Sequence, residues 1–436
     1  MRRLGRSTAQ ISAAIGLAAI AMATPLAWVN AQQAPRPTSG PEANPLDTSK
    51  ALMAKTKQSL NLKPHAAPLT ITPREKIPLD KIKVPAGFKV ELWAHGIPGA
   101  RTLRRGDKGT IFVGSRVIGK VYAVTDKGGE RSVKTIVEGQ KMPNGLAFQD
   151  GALYVMAIDK ALRLDGIEDK LDSPQVTDIS DKIDLPESTH HNWKYAAIGP
   201  DKKLYIAIGS PCNVCEINTG LHGQIRRQNL DGSNIEIVAR GVRNSVGFDW
   251  HPQTKELWFT DNGPDWEGNF GPEDELNRVA KNDEGAFYGF PYCHAQGIPD
   301  PTVKRPGACV GVTMPAVTTG PHAGTLGIRF YAGSMFPASY KNTAFIARRG
   351  SWNRDQKFGY DIVQATINGG RATLTPFMTG FLDEKANTFW GRPVDVQPLP
   401  DGSLLVSDEQ NGAIYRVSYG DKKDAAPAKK DGKSKA

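Results

Sequence analysis

From about residue 88 onward the chain alternates apolar and polar positions in runs of four to six residues, and a turn introduces each run. Asp107-Lys108-Gly109 leads into Thr110-Ile111-Phe112-Val113. Phe148-Gln149-Asp150-Gly151 leads into Ala152-Leu153-Tyr154-Val155, and Ile198-Gly199-Pro200-Asp201-Lys202-Lys203 into Leu204-Tyr205-Ile206. Trp250-His251-Pro252 runs to Glu256-Leu257-Trp258-Phe259, Tyr340-Lys341-Asn342 to Ala344-Phe345-Ile346, and Leu399-Pro400-Asp401-Gly402 to Leu404-Leu405-Val406. A period of two bounded by Gly, Pro, Asn and Asp predicts short strands. A third strand often follows, as in Val121-Tyr122-Ala123-Val124 and Ala413-Ile414-Tyr415-Arg416-Val417. The units recur at irregular spacings of roughly 40 to 90 residues, which suits repeated sheets carrying loop insertions. One four-stranded sheet cannot cover both of its faces, whereas a ring of sheets covers each face with a neighbour. The expected fold is all-β, a six-bladed β-propeller, and the competing reading is an irregular β-sandwich pair. A ring also gathers loops from every blade around one axial opening, the natural place for a ligand.

The pattern changes at both ends. Arg2, Arg3 and Arg6 precede an apolar stretch from Ile11 to Val29, closed by Val29-Asn30-Ala31. This has the layout of a secretory signal spanning 1–31 and cut near Ala31, with Pro25 and the small residues arguing against a retained anchor. Residues 32–76 are rich in Pro, Ala and Lys and read as a linker. The propeller is expected over 77–420, and the Lys-rich tail 421–436 is expected to be disordered. No later segment is apolar enough to span a bilayer, so the processed chain is expected without a transmembrane segment, in the periplasm.

Composition narrows the classes. Hydrophobic residues are 39% and charged residues 23% of the 436, as in soluble globular proteins. The 45 Gly and 31 Pro suit a turn-rich all-β chain. The formal net charge is +10, but basic residues at the two ends supply part of it, and no aromatics interleave with basic residues, which excludes nucleic acid as a partner. Four cysteines in an exported chain favour two disulfides, one within Cys212-x-x-Cys215 and one closing the loop from Cys293 to Cys309.

Five polar clusters interrupt the strands. His190-His191-Asn192-Trp193 offers a base or metal ligand. Arg243-Asn244 offers fixed charge beside an amide, suited to an anionic ligand. Asp261-Asn262-Gly263-Pro264-Asp265 and Glu273-Asp274-Glu275-Leu276-Asn277 supply oxygens that suit Ca²⁺. Arg348-Arg349-Gly350-Ser351-Trp352-Asn353 and Trp390-Gly391-Arg392 complete the set. Each alone is compatible with a structural role, and it is their recurrence between blades that points to a site.

The chain resembles the soluble glucose dehydrogenase type of PQQ (pyrroloquinoline quinone)-dependent sugar dehydrogenases over roughly Ile77 to Tyr419. It looks closest to the sorbosone and aldose sugar dehydrogenase branch. The segments carrying the resemblance are His191 with Ile198-Gly199-Pro200-Asp201, Arg243-Asn244, Gly263-Pro264, Asp274-Glu275-Leu276-Asn277 and Tyr288-Gly289-Phe290-Pro291. The resemblance implies oxidation of an aldose or sugar aldehyde to the lactone or acid, with PQQ and Ca²⁺ as cofactors and a cytochrome c or a quinone as electron acceptor. It makes His191 the general base rather than His190. Arg243 and Asn244 match cofactor-holding residues, with Arg243 also stabilising negative charge on the reduced quinone, and Arg392 would face a PQQ carboxylate. Gln140, grouped with the cofactor site, matches a glutamine near the substrate, although Lys141-Met142-Pro143 departs from the pattern beside it. Either Arg348 or Arg349 fills the place of a basic residue. The carbonyls of Gly263 and Pro264 match Ca²⁺ ligands. Glu275 and Tyr288 match a second Ca²⁺ site, which an insertion at Asp265 to Pro272 interrupts. The family's glucose enzymes lack the Cys212/Cys215 pair, a departure that favours the sorbosone branch. Two other readings stand beside this one. Pro143-Asn144-Gly145-Leu146-Ala147-Phe148 would suit a metal-dependent sugar lactonase on a six-bladed ring, and a non-enzymatic propeller could serve as a protein-binding module.

Overall fold

The structure, a computed structural model, describes Leu69 and residues 71–420, apart from Thr189, Asn192, Trp266 and Gly268. The expected signal, most of the linker and the tail lie outside the described residues. Within them the chain forms six blades of four antiparallel strands in a ring, the expected six-bladed propeller, with blade 3 extended by a fifth, parallel strand. Blade 1 begins at Leu103–Arg105, blade 2 at Gly145–Gln149, blade 3 at Ala196–Ile198, blade 4 at Phe248–Trp250, blade 5 at Thr325–Phe330 and blade 6 at Pro393–Pro398. Around most of the ring, neighbouring first strands pack against one another on the axial side. Among the described residues no helix is long and apolar enough to cross a membrane.

The six turn units read from the sequence are one structural feature repeated six times. Each is the hairpin joining the first and second strands of a blade. Each carries a left-handed residue at its tip: Gly109, Gly151, Lys202, Lys255, Asn342 and Gly402, with φ between 61° and 98°. This explains the Gly and Asn signal, since a positive φ reverses the chain tightly and costs those residues least.

Between the blades lie six apolar clusters, one for each interface. The second strand of blade 3 shows how a period of two feeds them. Leu204, Ile206 and Ile208 pack toward blade 2, while Tyr205 and Ala207 pack toward blade 4. The last interface is closed by the start of the propeller. Phe88–His95 pairs antiparallel with Ala413–Tyr419 and becomes the outer strand of blade 6. One further segment matters for the site. Between the third and fourth strands of blade 4, residues 280–316 climb the outer edge of blade 3, where Ala286–Phe287 pairs parallel to Glu236–Arg240. The climb ends where Phe290 N–H meets the Gly241 carbonyl. The Cys293–Cys309 disulfide closes this segment, and Cys212–Cys215 closes a loop of blade 3.

Candidate functional site

In such a meander, the loops entering each first strand and the loops joining second to third strands emerge at the same end. All five polar clusters fall in or beside these loops, so the ring gathers them around one mouth.

His191 lies in the loop entering blade 3 and is only 7% exposed. Its φ of 45° is left-handed, and the loop of blade 3 passes so close that a Cβ on Gly209 would lie 2.0 Å from the His191 carbonyl oxygen. Nδ1 is 2.8 Å from Ser210 Oγ, and that hydroxyl is 2.8 Å from the Cys212 carbonyl. A hydroxyl has one proton to donate. Given to Cys212, it leaves Ser210 to accept from His191 Nδ1–H, so the lone pair is on Nε2. Burial first, then Arg243 and His190, hold His191 well below the usual imidazole range, and the ring is neutral. His190 packs edge-on against it with centroids 4.0 Å apart. Burial depresses it to about 3, and neither of its ring nitrogens has a hydrogen-bond partner among the described residues. Of the two histidines, His191 alone has a partner that fixes its tautomer.

Arg243 and Asn244 enter blade 4. Asp261, at the end of that blade's second strand, accepts both of their backbone N–H groups, at 2.8 and 2.6 Å. The Arg243 guanidinium donates to Asn213 O and Oδ1, Asn262 O and Asp265 Oδ2. Asp274 accepts from the N–H groups of Gly263, Gly324 and Thr325 and so anchors the loop carrying Gly263 and Pro264. Glu275 accepts from Asn277 Nδ2 and Ala295 N–H. Burial raises all three carboxyls, Asp261 to about 6, Asp274 to about 7 and Glu275 to about 8. The acidic run thus serves to tie loops down, and its oxygens are taken by N–H donors. The Tyr288 hydroxyl is directed to the Arg278 carbonyl at 2.7 Å, while the Glu275 carboxylate faces Asn277 and Ala295.

The other side of the mouth is strongly cationic. Glu409 is paired with both Arg101 and Arg349, and Arg116 and Arg392 stand close by. Burial alone would raise Glu409, but Arg349, Arg101, Arg116 and Arg392 together hold it well below the carboxylate range. Burial and then Arg349 lower Arg116 to about 9 and Arg392 to about 10. Four guanidinium groups therefore crowd around one carboxylate, which pairs directly with two of them. Arg392 lies 4.4 Å over the Phe389 ring, and its Nε and Nη1 are buried with no partner among the described residues, as is Asn244 Oδ1. The two halves of the mouth are joined. Arg101 Nε donates to Asn144 Oδ1, Asn144 Nδ2 donates to the Trp193 carbonyl, and Arg116 stacks 4.5 Å over the Trp193 ring.

Arg348 and Arg349 part company. Arg348 is held by both oxygens of Asp361 and by the Thr319 carbonyl, bracing blade 5, whereas Arg349 joins the cationic cluster. Gln140 is at the same end in the loop entering blade 2, with its side-chain amide turned back to the Glu138 carbonyl. Arg101, Arg116, Glu409, Ser210 and Asn213 were not singled out from the sequence. No local pattern marks them: Arg101 and Arg116 meet Glu409 only when the ring closes, Asn213 acts on the neighbouring blade 4, and Ser210 meets His191 only once blade 3 has folded.

Residues 156–351 match the family described as Glucose / Sorbosone dehydrogenase. A Borreliella burgdorferi protein described as uncharacterized is 35% identical over 354 residues, covering 78% of this chain and 91% of that one. Among solved structures, the iodide structure of a Trichoderma reesei carbohydrate-active enzyme of family AA12 has a TM-score of 0.67 at 18% identity, over 78% of this chain and 98% of its own. The holo PQQ domain of pyranose dehydrogenase from Coprinopsis cinerea has a TM-score of 0.65 at 18% identity, over 77% and 97%. The PQQ-bound aldose sugar dehydrogenase of Streptomyces coelicolor has a TM-score of 0.54 at 20% identity, over 77% and 99%. At these identities the likeness is one of fold.

Proposed function

Because the chain belongs to the glucose/sorbosone dehydrogenase family, we propose that it oxidises an aldose or sugar aldehyde to the lactone or acid with PQQ and Ca²⁺ in the periplasm, handing the electrons to a cytochrome c or a quinone. The observation that carries this reading is a neutral, tautomer-fixed His191 at the same mouth as four arginines crowded around one carboxylate. The residues fit a flat polyanion. Arg392 Nε and Nη1 are buried donors with no partner among the described residues, and the surplus positive charge calls for carboxylates. Arg116, Arg349 and Arg392 would take the acidic groups of the cofactor, Arg243 and Asn244 its quinone edge, and the carbonyls of Gly263 and Pro264 the calcium ion. When bound, PQQ would accept hydride from the sugar carbon, with Ca²⁺ polarising the quinone. His191 Nε2 takes the proton from the hydroxyl of the sugar, or of the hydrated aldehyde, while Ser210 steadies the imidazolium that results. The paired cysteines and the expected signal support the periplasm.

The test is to add PQQ and Ca²⁺ to the purified apo-protein and follow reduction of an artificial dye with a panel of aldoses. Sugar-dependent reduction that needs PQQ is expected. Lactone hydrolysis with metal alone, and no dye reduction, would overturn the reading.

A further inference from the structure

Arg243 is 2% exposed, and its guanidinium has five N–H groups. Nε–H goes to Asn213 O at 2.9 Å, one Nη1–H to Asn262 O at 2.9 Å, and the two Nη2–H groups to Asn213 Oδ1 at 2.6 Å and Asp265 Oδ2 at 3.1 Å. One N–H, on Nη1, is left to meet a ligand. Its direction is set by the other four, and two of those end on Asn213.

Asn213 is fully buried and satisfied on every side. Besides Arg243, it accepts from Asp265 N–H and donates to the Asp265 carbonyl, both at 2.9 Å, so it locks the loop of blade 4 to the loop of blade 3. It stands between Cys212 and Cys215, whose bridge spans a sequence separation of only 3. So small a ring constrains little of the unfolded chain, far less than the 16-residue span of Cys293–Cys309. What it constrains is local: the peptide carrying Asn213, and the Cys212 carbonyl that orders Ser210 beneath His191.

We propose that Asn213, held by the Cys212–Cys215 bridge, is the positioning residue that aims Arg243 at the bound quinone, so that this disulfide serves catalysis more than stability. The inference rests on the function proposed above. It goes further in giving a role to a residue and a bridge that the general site does not require.

The test titrates apo-protein with PQQ in the presence of Ca²⁺, reading binding by the quenching of intrinsic tryptophan fluorescence, for the wild type, Asn213→Ala, the isosteric Asn213→Asp and the double variant Cys212→Ser/Cys215→Ser. Asn213→Ala keeps the main-chain carbonyl that accepts from Arg243 Nε–H but removes the Oδ1 bond to the charged guanidinium and both side-chain bonds to the Asp265 main chain, which should weaken PQQ binding by roughly tenfold to a hundredfold. The kcat should fall while KM for the sugar stays near the wild-type value, a split that a general loss of folding would not give. Asn213→Asp preserves shape and should also bind weakly, because it removes the donor to Asp265 and sets a new carboxylate against Arg243. The double serine variant should shift binding the same way with a melting midpoint close to the wild type. A wild type that does not bind PQQ sinks the proposed function. A wild type that binds, with either folded Asn213 variant binding as well as it does, sinks this inference alone. Normal binding by the double serine variant removes the bridge from it.

Discussion

His191 depends on neighbours that the linear chain keeps apart. Ser210 decides which ring nitrogen carries the proton, and Gly209 leaves the space in which the left-handed backbone can sit. Burial then keeps the ring neutral. A base is lost when it is protonated, and a depressed pKa moves that loss to lower pH. Activity should therefore persist through pH 6.5 on the acidic side and fall only below it, measured as kcat/KM against pH. His191→Ala should lower kcat by about a hundredfold to ten-thousandfold while PQQ titration still shows binding. An acidic limb centred at or above 6.5, or unchanged turnover in the variant, would take the base role from His191. Arg392 makes a related point. A buried guanidinium with open donors is costly unless a ligand completes it, so under the proposed function the cofactor's acids and the protein's arginines would stabilise each other.

At the scale of single elements, strand Phe88–His95 is the one whose loss would be felt furthest away. Phe88 packs edge-on against Phe336, Tyr340, Phe377 and Tyr419, with centroids 4.8 to 5.2 Å apart. It therefore ties blade 6 to blade 5 as well as filling its own sheet. Phe88→Ala should destabilise the protein by about 3 to 5 kcal/mol, the usual effect of removing a buried aromatic, read by urea unfolding. A change below about 1 kcal/mol would mean that the closure does not rest on this ring. The alternation that begins at about residue 88 marks a strand in the sequence. Its partner, more than 300 residues away in the chain, follows only from closing the ring. The climbing segment 280–316 is similar: its Gly- and Pro-rich composition reads as loop, yet it adds a fifth strand to blade 3 and brings Ala295 to Glu275.

For the whole molecule, each blade shares an apolar cluster with both neighbours, and the first strand of the propeller closes the last blade, so the ring has no free end. The described propeller should unfold in one cooperative transition, with near- and far-ultraviolet circular dichroism changing together. Two separated transitions would show that the interfaces are independent. The amino-acid sequence by itself determined the blades and their number. Alternating side chains and left-handed turn residues are local signals, and six hairpins can be read without knowing what they pack against. It also supplied the polar clusters around His191, Arg243 and Arg392, because those residues break the strand pattern. What only the tertiary structure decided is which groups share a charge environment. It separated Arg348, neutralised by Asp361, from Arg349, drawn to Glu409. It turned Asp261 and Asp274 into anchors for backbone N–H groups, and it joined Arg101, Arg116 and Glu409, from opposite ends of the propeller, in one cluster. The physical reason is range. Turn and strand preferences act over a few residues, whereas charge pairing and burial act through space, and in a closed ring the nearest residues in space are among the farthest along the chain.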